Sequence, residues 1–72
     1  MSRVVALGET SRVEGYALAG VTVLATDRDG VDRAWQRVPD DTGLLVLTPT
    51  AAADLEARLA SRPGLLWTVI PT

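Results

Sequence analysis

The chain contains neither cysteine nor histidine, and each absence removes a class of chemistry. Without cysteine there is no disulfide, no thiolate nucleophile and no cysteine-ligated zinc site. Without histidine the chain lacks the commonest metal ligand and the usual general base at neutral pH. All seven basic residues are arginines, so lysine chemistry is missing as well. We therefore expect a protein that is not an enzyme and has no catalytic residue, metal site or cofactor.

The formal net charge is −2, and the arginines are spread along the chain without clustering. This argues against nucleic acid or an anionic membrane as the main partner. No stretch approaches the ~20 apolar residues of a membrane span, and the first apolar run is too short for a signal peptide. We expect a cytoplasmic protein in which residues 1–72 form one domain. A chain this short buries only about 60% of its unfolded surface and is marginally stable alone.

A βαβ unit is predicted at the start of the chain. Residues 4–7 (VVAL) form an unbroken apolar run, which is typical of a strand buried on both faces, and Gly8 is expected to stop it. Residues 21–25 (VTVLA) predict a second strand, with a helix over residues 12–19 between the two. The loop after the first strand opens at its carboxyl end, where ligands of open α/β sheets usually bind.

Two local signals predict the limits of that first helix. Ser11 and Glu14 stand three residues apart, which is the capping-box spacing. In such a box the hydroxyl accepts from an N–H of the first turn, while the carboxylate accepts from the N–H of the capping residue. Gly20 is free to adopt the left-handed conformation that ends a helix. We therefore expect Ser11 to cap the helix and Gly20 to end it.

The rest of the chain predicts two more helices and two more strands. One helix is indicated by apolar residues at i, i+3, i+4 and i+7, namely Val31, Ala34, Trp35 and Val38. The next is expected to begin at Thr48 and Pro49, a cap followed by a proline at the first helical position. Its predicted inner stripe consists of Ala52, Leu55 and Leu59. Apolar runs at residues 44–47 and 65–70 predict the third and fourth strands, giving the order β-α-β-α-β-α-β.

This alternation predicts a four-stranded parallel sheet with right-handed crossovers, in a flavodoxin-like or Rossmann-like three-layer α/β fold. With the strand order 2-1-3-4, the first helix alone covers one face, over strands two and one. The same face of strands three and four is then left open, although both strands are apolar at nearly every position. We expect this open face to bind a partner protein or a second copy of the chain.

The alternation of side chains along the fourth strand indicates which residues are open. It places Leu66, Thr68 and Ile70 on one side and residues 65, 67 and 69 on the other. The side that holds Thr68 is expected to be open, with either residues 44 and 46 or residues 45 and 47 beside it. Two charged residues that follow the first strand complete the predicted partner interface, which comprises Leu66, Thr68, Ile70, Glu9 and Arg12.

Catalytic interpretations of the acidic residues fail because the groups they require are missing. Glu9 stands where a phosphate-accepting receiver domain carries acidic residues, but the third strand ends in Thr48 rather than Asp, and lysine is absent. The glycines lack the G-x-G-x-x-G spacing of dinucleotide sites, and there is no P-loop. Asp40 and Asp41 stand between Pro39 and Gly43, as in a turn.

Several segments resemble the F subunit of V-type and A-type rotary ATPases. Residues 4–9 (VVALGE) are similar to that family's apolar strand followed by Gly-Asp or Gly-Glu. After a short spacer, residues 15–21 (GYALAGV) are similar to its Gly-Phe-x-Leu-Ala-Gly segment, which is followed by Val or Ile. Residues 44–48 (LLVLT) are similar to its third strand and the following Thr. Residues 70–72 (IPT) are similar to the Ile-Pro-Ser or Ile-Pro-Gly that ends its fourth strand. The resemblance covers nearly the whole chain, and the Gly-aromatic-x-Leu-Ala-Gly segment is its most specific part.

The resemblance implies a parallel four-stranded domain that is a non-catalytic subunit of a rotary ATPase central stalk. Such a subunit contributes to the coupling of ATP hydrolysis or synthesis to ion transport. It also implies the elongated coiled-coil D subunit as the partner, at the periphery of a membrane complex. In the family a further segment forms a C-terminal helix that can reach toward the catalytic head. Because the sequence ends at Thr72, we expect it to correspond to the family's N-terminal domain without that helix.

A second class of function remains open from the residues. The chain could be a free-standing flavodoxin-like module that binds a small anion or another protein complex. Helix N-termini expected near residues 8–12 and 48–50 would offer backbone N–H groups to such an anion. Genes for stalk subunits beside this one would favour the first hypothesis, and saturable ligand binding by the isolated protein would favour the second.

Overall fold

The computed structural model describes residues 3–71, with the backbone alone at residues 18, 19 and 28. The strands are β1 (Arg3–Glu9), β2 (Thr22–Thr26), β3 (Thr42–Leu47) and β4 (Leu66–Val69). The α-helices are α1 (Thr10–Val13), α2 (Val31–Gln36), α3 (Pro49–Asp54) and α4 (Glu56–Ala60). Two 3-10 segments, Glu14–Ala19 and Arg28–Gly30, adjoin α1 and α2. All four predicted strands are therefore present, with ends within two residues of those predicted.

The strands form one sheet in which every pairing is parallel, in the order β2-β1-β3-β4. This confirms the predicted α/β fold class and the predicted strand order. Because β2 and β3 lie on opposite sides of β1, right-handed crossovers place the first helix on one face and the later helices on the other. On the first face α1 and the following 3-10 segment contact β1 and β2, whereas α2 and α3 contact the sheet on the second face.

The hydrophobic core lies between the sheet and helices α2, α3 and α4. The strands contribute alternate residues, Val5, Leu7, Leu24, Leu45 and Leu47. The apolar stripe predicted for α2 is confirmed, since its four residues Val31, Ala34, Trp35 and Val38 are all buried in this core. The guanidinium of Arg62 lies 5.5 Å from the centroid of the Trp35 ring, which is a cation–π distance.

The third crossover differs slightly from the continuous helix that the sequence predicts. Leu55, at φ −102° and ψ 8°, separates α3 from α4, although its side chain and that of Leu59 are buried as predicted. Ala51 is fully buried and Ala52 only partly so, because Ala51 lies at four-residue spacing from Leu55 and Leu59 on the buried side. The predicted start is confirmed, with the Thr48 side chain at the cap and a proline in the first turn.

The first helix begins earlier than predicted, and its capping box is not formed. Gly8 does not stop β1, because pairing with β2 continues through Glu9 opposite Thr26. The chain then turns at once into α1, with Glu9 at the N-cap position and Ser11 inside the helix. The prediction of a Ser11–Glu14 box is therefore wrong, since strand pairing rather than local capping fixes the start. The predicted end is confirmed at Gly20, which has a φ of 80°.

Candidate protein-binding surface

At the carboxyl end of the sheet, β1 and the residue that follows β3 pack closely through Gly8 and Thr48. Both residues are buried, and a Cβ atom at position 8 would lie 2.9 Å from the Thr48 Cβ and closer still to its two terminal atoms. The N–H of Thr48 donates to the carbonyl of Leu7 at 3.3 Å and extends the β1–β3 pairing by one residue. A glycine is thus required at position 8 by the packing of Thr48, the residue that follows the neighbouring strand.

The hydroxyl of Thr48 links the ends of both strands to the start of α3. It accepts a hydrogen bond from the N–H of Ala51 at 3.3 Å and donates one to Oε1 of Glu9 at 2.8 Å. Glu9 is half-buried, so this link is partly shielded from water. The Glu9 side chain therefore holds the loop after β1 against the loop after β3.

This arrangement weakens the hypothesis of anion binding at residues 8–12 and 48–50. An approaching anion would meet the carboxylate of Glu9, and the hydroxyl proton of Thr48 is already donated to that carboxylate. The two helices that begin there have four and six residues, too short for a strong helix dipole. The Glu9 carboxylate therefore disfavours a negatively charged ligand beside Thr48.

Arg12 connects α1 to the segment that follows β4. Its Nη2 donates to the carbonyl oxygen of Pro71 at 3.3 Å, in an exposed position. Because β3 lies between β1 and β4, this contact spans the carboxyl end of β3. The N–H of Ile70 donates to the carbonyl of Leu47 at 2.9 Å and closes the β3–β4 pairing just before it. Glu9, Arg12 and Ile70 consequently lie at the same end of the sheet.

On the face that carries α1, strands β3 and β4 present side chains to solvent. The register aligns Val4 with Leu44, Leu44 with Leu66, and Val46 with Thr68, so these side chains share one face. We call this surface the open face and define it by six residues, Val4, Leu44, Val46, Leu66, Thr68 and Ile70. Leu45 and Leu47 are fully buried on the opposite face, which decides between the two neighbouring pairs that the sequence left open.

The open face is most exposed along its outer strand. Leu66 is 68% exposed and Val4 is 39% exposed, while Leu44 and Val46 are half-buried between them. Thr68 is exposed and Ile70, which directly follows β4, is half-buried, so Leu66, Thr68 and Ile70 do share this face as predicted. Leu66 lies at the end of β4 away from the loop that holds Glu9 and Arg12. The five predicted interface residues therefore fall into two groups, one on the face and one at the carboxyl end.

The sequence interpretation missed the exposure of Trp67 and Val69. Both lie on the face that α2, α3 and α4 cover, in register with Leu45 and Leu47. They are nevertheless 47% and 40% exposed, because β4 is the edge strand and the covering helices contact the inner strands. The predicted strand order already contained this signal, since its last strand has a neighbour on one side only.

Within the part of the chain that the structure describes, the other polar features of the surface do not form an evident site. Arg33 of α2 and Arg37, which directly follows α2, line an open cleft beside the end of β2 together with Asp27. The carboxylate of Asp27 accepts from the N–H of Gly30 at 2.9 Å and so acts as a local cap. Among residues 3–71, no three acidic side chains are grouped as metal ligands would be. None of the helices in this range has the length and hydropathy needed to cross a bilayer.

The described surface therefore offers apolar contact and strand backbone rather than a nucleophile with an adjacent base. Its chemistry is suited to recognition of another protein. Comparison of the chain with models of protein families, with curated proteins and with solved structures found no match.

Proposed function

We propose that the chain is a non-catalytic binding subunit that docks through its open face onto a helical partner. In this proposal it is a subunit-F-like component of the central stalk of a V-type or A-type rotary ATPase, and the partner is the D-like coiled coil. The observation that carries the proposal is an exposed Leu66 beside Leu44 and Val46, on a face that α1 covers only over β1 and β2. Contiguous apolar surface of this kind commonly marks a protein-binding site.

The energy available from covering the open face is large for a domain of this size. Full burial of a Leu or Val side chain contributes about 1.5–3 kcal/mol. Leu66 and Val4 are 68% and 39% exposed, so a partner that covered them would add a substantial part of that burial free energy. Total stabilities of small domains are only about 5–15 kcal/mol, so docking would raise the thermal midpoint measurably.

The residues that carry the family resemblance support the proposal because they act together in the fold. Gly8 makes room for Thr48, Gly20 supplies the left-handed residue after the first helix, and Pro71 accepts the hydrogen bond of Arg12. These contacts hold β1, β3 and β4 in the arrangement that leaves one face open. The packing that presents the open face therefore depends on residues that also carry the resemblance.

The proposal is tested by co-purification with a coiled-coil stalk subunit from the same genome. The double variant Leu66→Ser/Ile70→Ser is expected to abolish binding while leaving the circular dichroism spectrum unchanged. Val69→Ser, on the opposite side of the same strand, is the matched control and is expected to bind normally. A pull-down from the native cell should return rotary ATPase stalk subunits among the partners identified by mass spectrometry. A set of specific partners without any such subunit would refute the assignment.

A further inference from the structure

The outer edge of β4 is a strand edge without charged side chains. β4 pairs with β3 on one side and ends the sheet on the other. Residues 65–70 read LLWTVI, so no charge, glycine or proline interrupts the edge until Pro71. Natural sheets normally protect such edges with charges, bulges or prolines, because an exposed strand backbone recruits another strand.

The register shows which backbone groups of β4 point outward. The N–H of Ile70 donates to Leu47 of β3, and alternate residues of a strand direct their backbone groups to the same side. Leu66, Thr68 and Ile70 therefore pair with β3. The N–H and C=O groups of Trp67 and Val69 point away from the sheet.

These outward groups are complementary to the same groups of a second copy. If two copies of β4 meet antiparallel about a two-fold axis at Thr68, Trp67 of each copy lies opposite Val69 of the other. Each such pair exchanges both N–H···O hydrogen bonds. The aromatic and β-branched side chains of these pairs also favour one another across strands. Leu66 lies opposite Ile70 of the second copy, and the two Thr68 residues face each other.

The flanking residues disfavour the neighbouring symmetric registers, because each of these leaves an outward backbone carbonyl of β4 without a donor. A shift in one direction would place Val69 opposite Leu65 of the second copy, but the N–H of Leu65 is already donated to the carbonyl of Arg62 at 3.0 Å. A shift in the other direction would place Trp67 opposite Pro71, which has no N–H. The register about Thr68 is the symmetric one in which both outward residues meet residues with available donors and acceptors.

We propose that the chain forms a homodimer in which the two β4 strands pair antiparallel about Thr68 and join two four-stranded sheets into one. The exposed fractions of Leu66, Trp67 and Val69, at 68%, 47% and 40%, leave apolar surface for each copy to bury. Three partly exposed side chains per copy fall short of the ~1,200 Å² that specific interfaces generally bury in total, so we expect a weak dimer that forms at high protein concentration.

The dimer pairs the edge of the sheet and the stalk partner contacts its face, and the two surfaces share only Leu66, Thr68 and Ile70. A two-fold axis perpendicular to the sheet leaves the open faces of both copies on the same side. Dimerisation therefore extends the open face rather than covering it.

The test uses the absence of cysteine from the chain. Thr68→Cys places two thiols opposite each other at a non-hydrogen-bonded pair, where Cα atoms are about 4.5 Å apart and a disulfide can form. Leu66→Cys is the matched control on the same strand and face. In the proposed register its two copies are about 13 Å apart along the strand, too far for a disulfide. With diamide at about 100 μM protein, Thr68→Cys is expected to cross-link at least tenfold faster than Leu66→Cys.

A second variant tests the backbone hydrogen bonds. Val69→Pro removes an outward N–H and leaves the donors to β3 in place, so the fold is expected to persist. Sedimentation should then show a concentration-dependent dimer for the natural sequence and for Val69→Ala, but a monomer for Val69→Pro. A natural sequence that remains monomeric up to several hundred micromolar would overturn the proposal. Equal cross-linking of the two cysteine variants would also overturn it and would indicate face-to-face or non-specific contact.

Discussion

The packing of Gly8 against Thr48 yields the most quantitative prediction. In Gly8→Ala the new methyl carbon would lie within 3.0 Å of three Thr48 atoms, including the Cβ at 2.9 Å. The Cβ is fixed to the backbone, so a rotation of the Thr48 side chain cannot relieve the overlap. Either β1 moves away from the loop after β3, or Thr48 moves and loses its hydrogen bonds to Ala51 and Glu9.

The cost follows from these contacts. Overpacking a buried position typically costs about 1–3 kcal/mol, and loss of a threonine cap adds about 1 kcal/mol. Replacing glycine lowers the entropy of the unfolded chain and returns about 0.4–1 kcal/mol. We therefore expect Gly8→Ala to lower the free energy of unfolding by about 1.5–3 kcal/mol. For a domain of this length, a loss of ~2 kcal/mol corresponds to a fall of roughly 8–16 °C in the thermal unfolding midpoint.

Urea denaturation followed by tryptophan fluorescence provides the assay, because Trp35 is buried and its emission changes on unfolding. Gly15→Ala is the matched control, since an added Cβ at that position meets nothing within 4 Å. It is expected to be neutral or slightly stabilising. In a double-mutant cycle, Thr48→Ala removes the two closest atoms, so the pair of substitutions should cost about 1–2 kcal/mol less than the sum of the single losses. An unchanged urea midpoint for Gly8→Ala would refute the predicted overlap with Thr48. Strictly additive losses in the free energy of unfolding in the cycle would also refute it.

Three further predictions concern the helix start, the open face and catalysis. Ser11→Ala is expected to change the free energy of unfolding by less than ~0.5 kcal/mol, because Ser11 lies inside α1. Thr48→Ala loses a formed cap and is expected to cost about 1–2 kcal/mol. Comparable losses for the two variants in urea titrations would contradict the observed start of α1. Leu47→Ala in the core is expected to lower the free energy of unfolding by about 2–5 kcal/mol, and Leu66→Ala by well under 1 kcal/mol. Equal losses would mean that the open face is covered in the free protein. The isolated chain is expected not to hydrolyse ATP or phosphate esters, and turnover that survives purification but is lost in Glu9→Gln would contradict this.

Local signals in the sequence were sufficient for the strands, for α2 and for the start of α3. Continuous apolar runs have few alternatives to buried parallel strands in a short alternating chain. The stripe of α2 repeats at helical spacing, and Thr48 followed by a proline satisfies the start of a helix without help from distant residues. The strand order 2-1-3-4 was expected from the alternation of strands and helices and is the observed order, although it leaves apolar side chains of β3 and β4 uncovered on one face.

The tertiary structure decided the features that depend on contacts between distant residues. Ser11 and Glu14 have the spacing of a capping box, yet pairing of β1 with β2 through Glu9 moves the helix start past it. The contact of Gly8 with Thr48 joins positions 40 residues apart, and no local pattern encodes it.

The tertiary structure likewise decided which side chains of β4 are exposed to solvent. Alternation along β4 assigns each side chain to a face, but it does not say how far the helices extend over that face. Trp67 and Val69 lie on the covered face and are still 47% and 40% exposed, because β4 is an edge strand. The sequence by itself determined which residues share a face, since that depends on a two-residue repeat. Only the folded chain decided which of them reach solvent, since that depends on which elements pack on the other side.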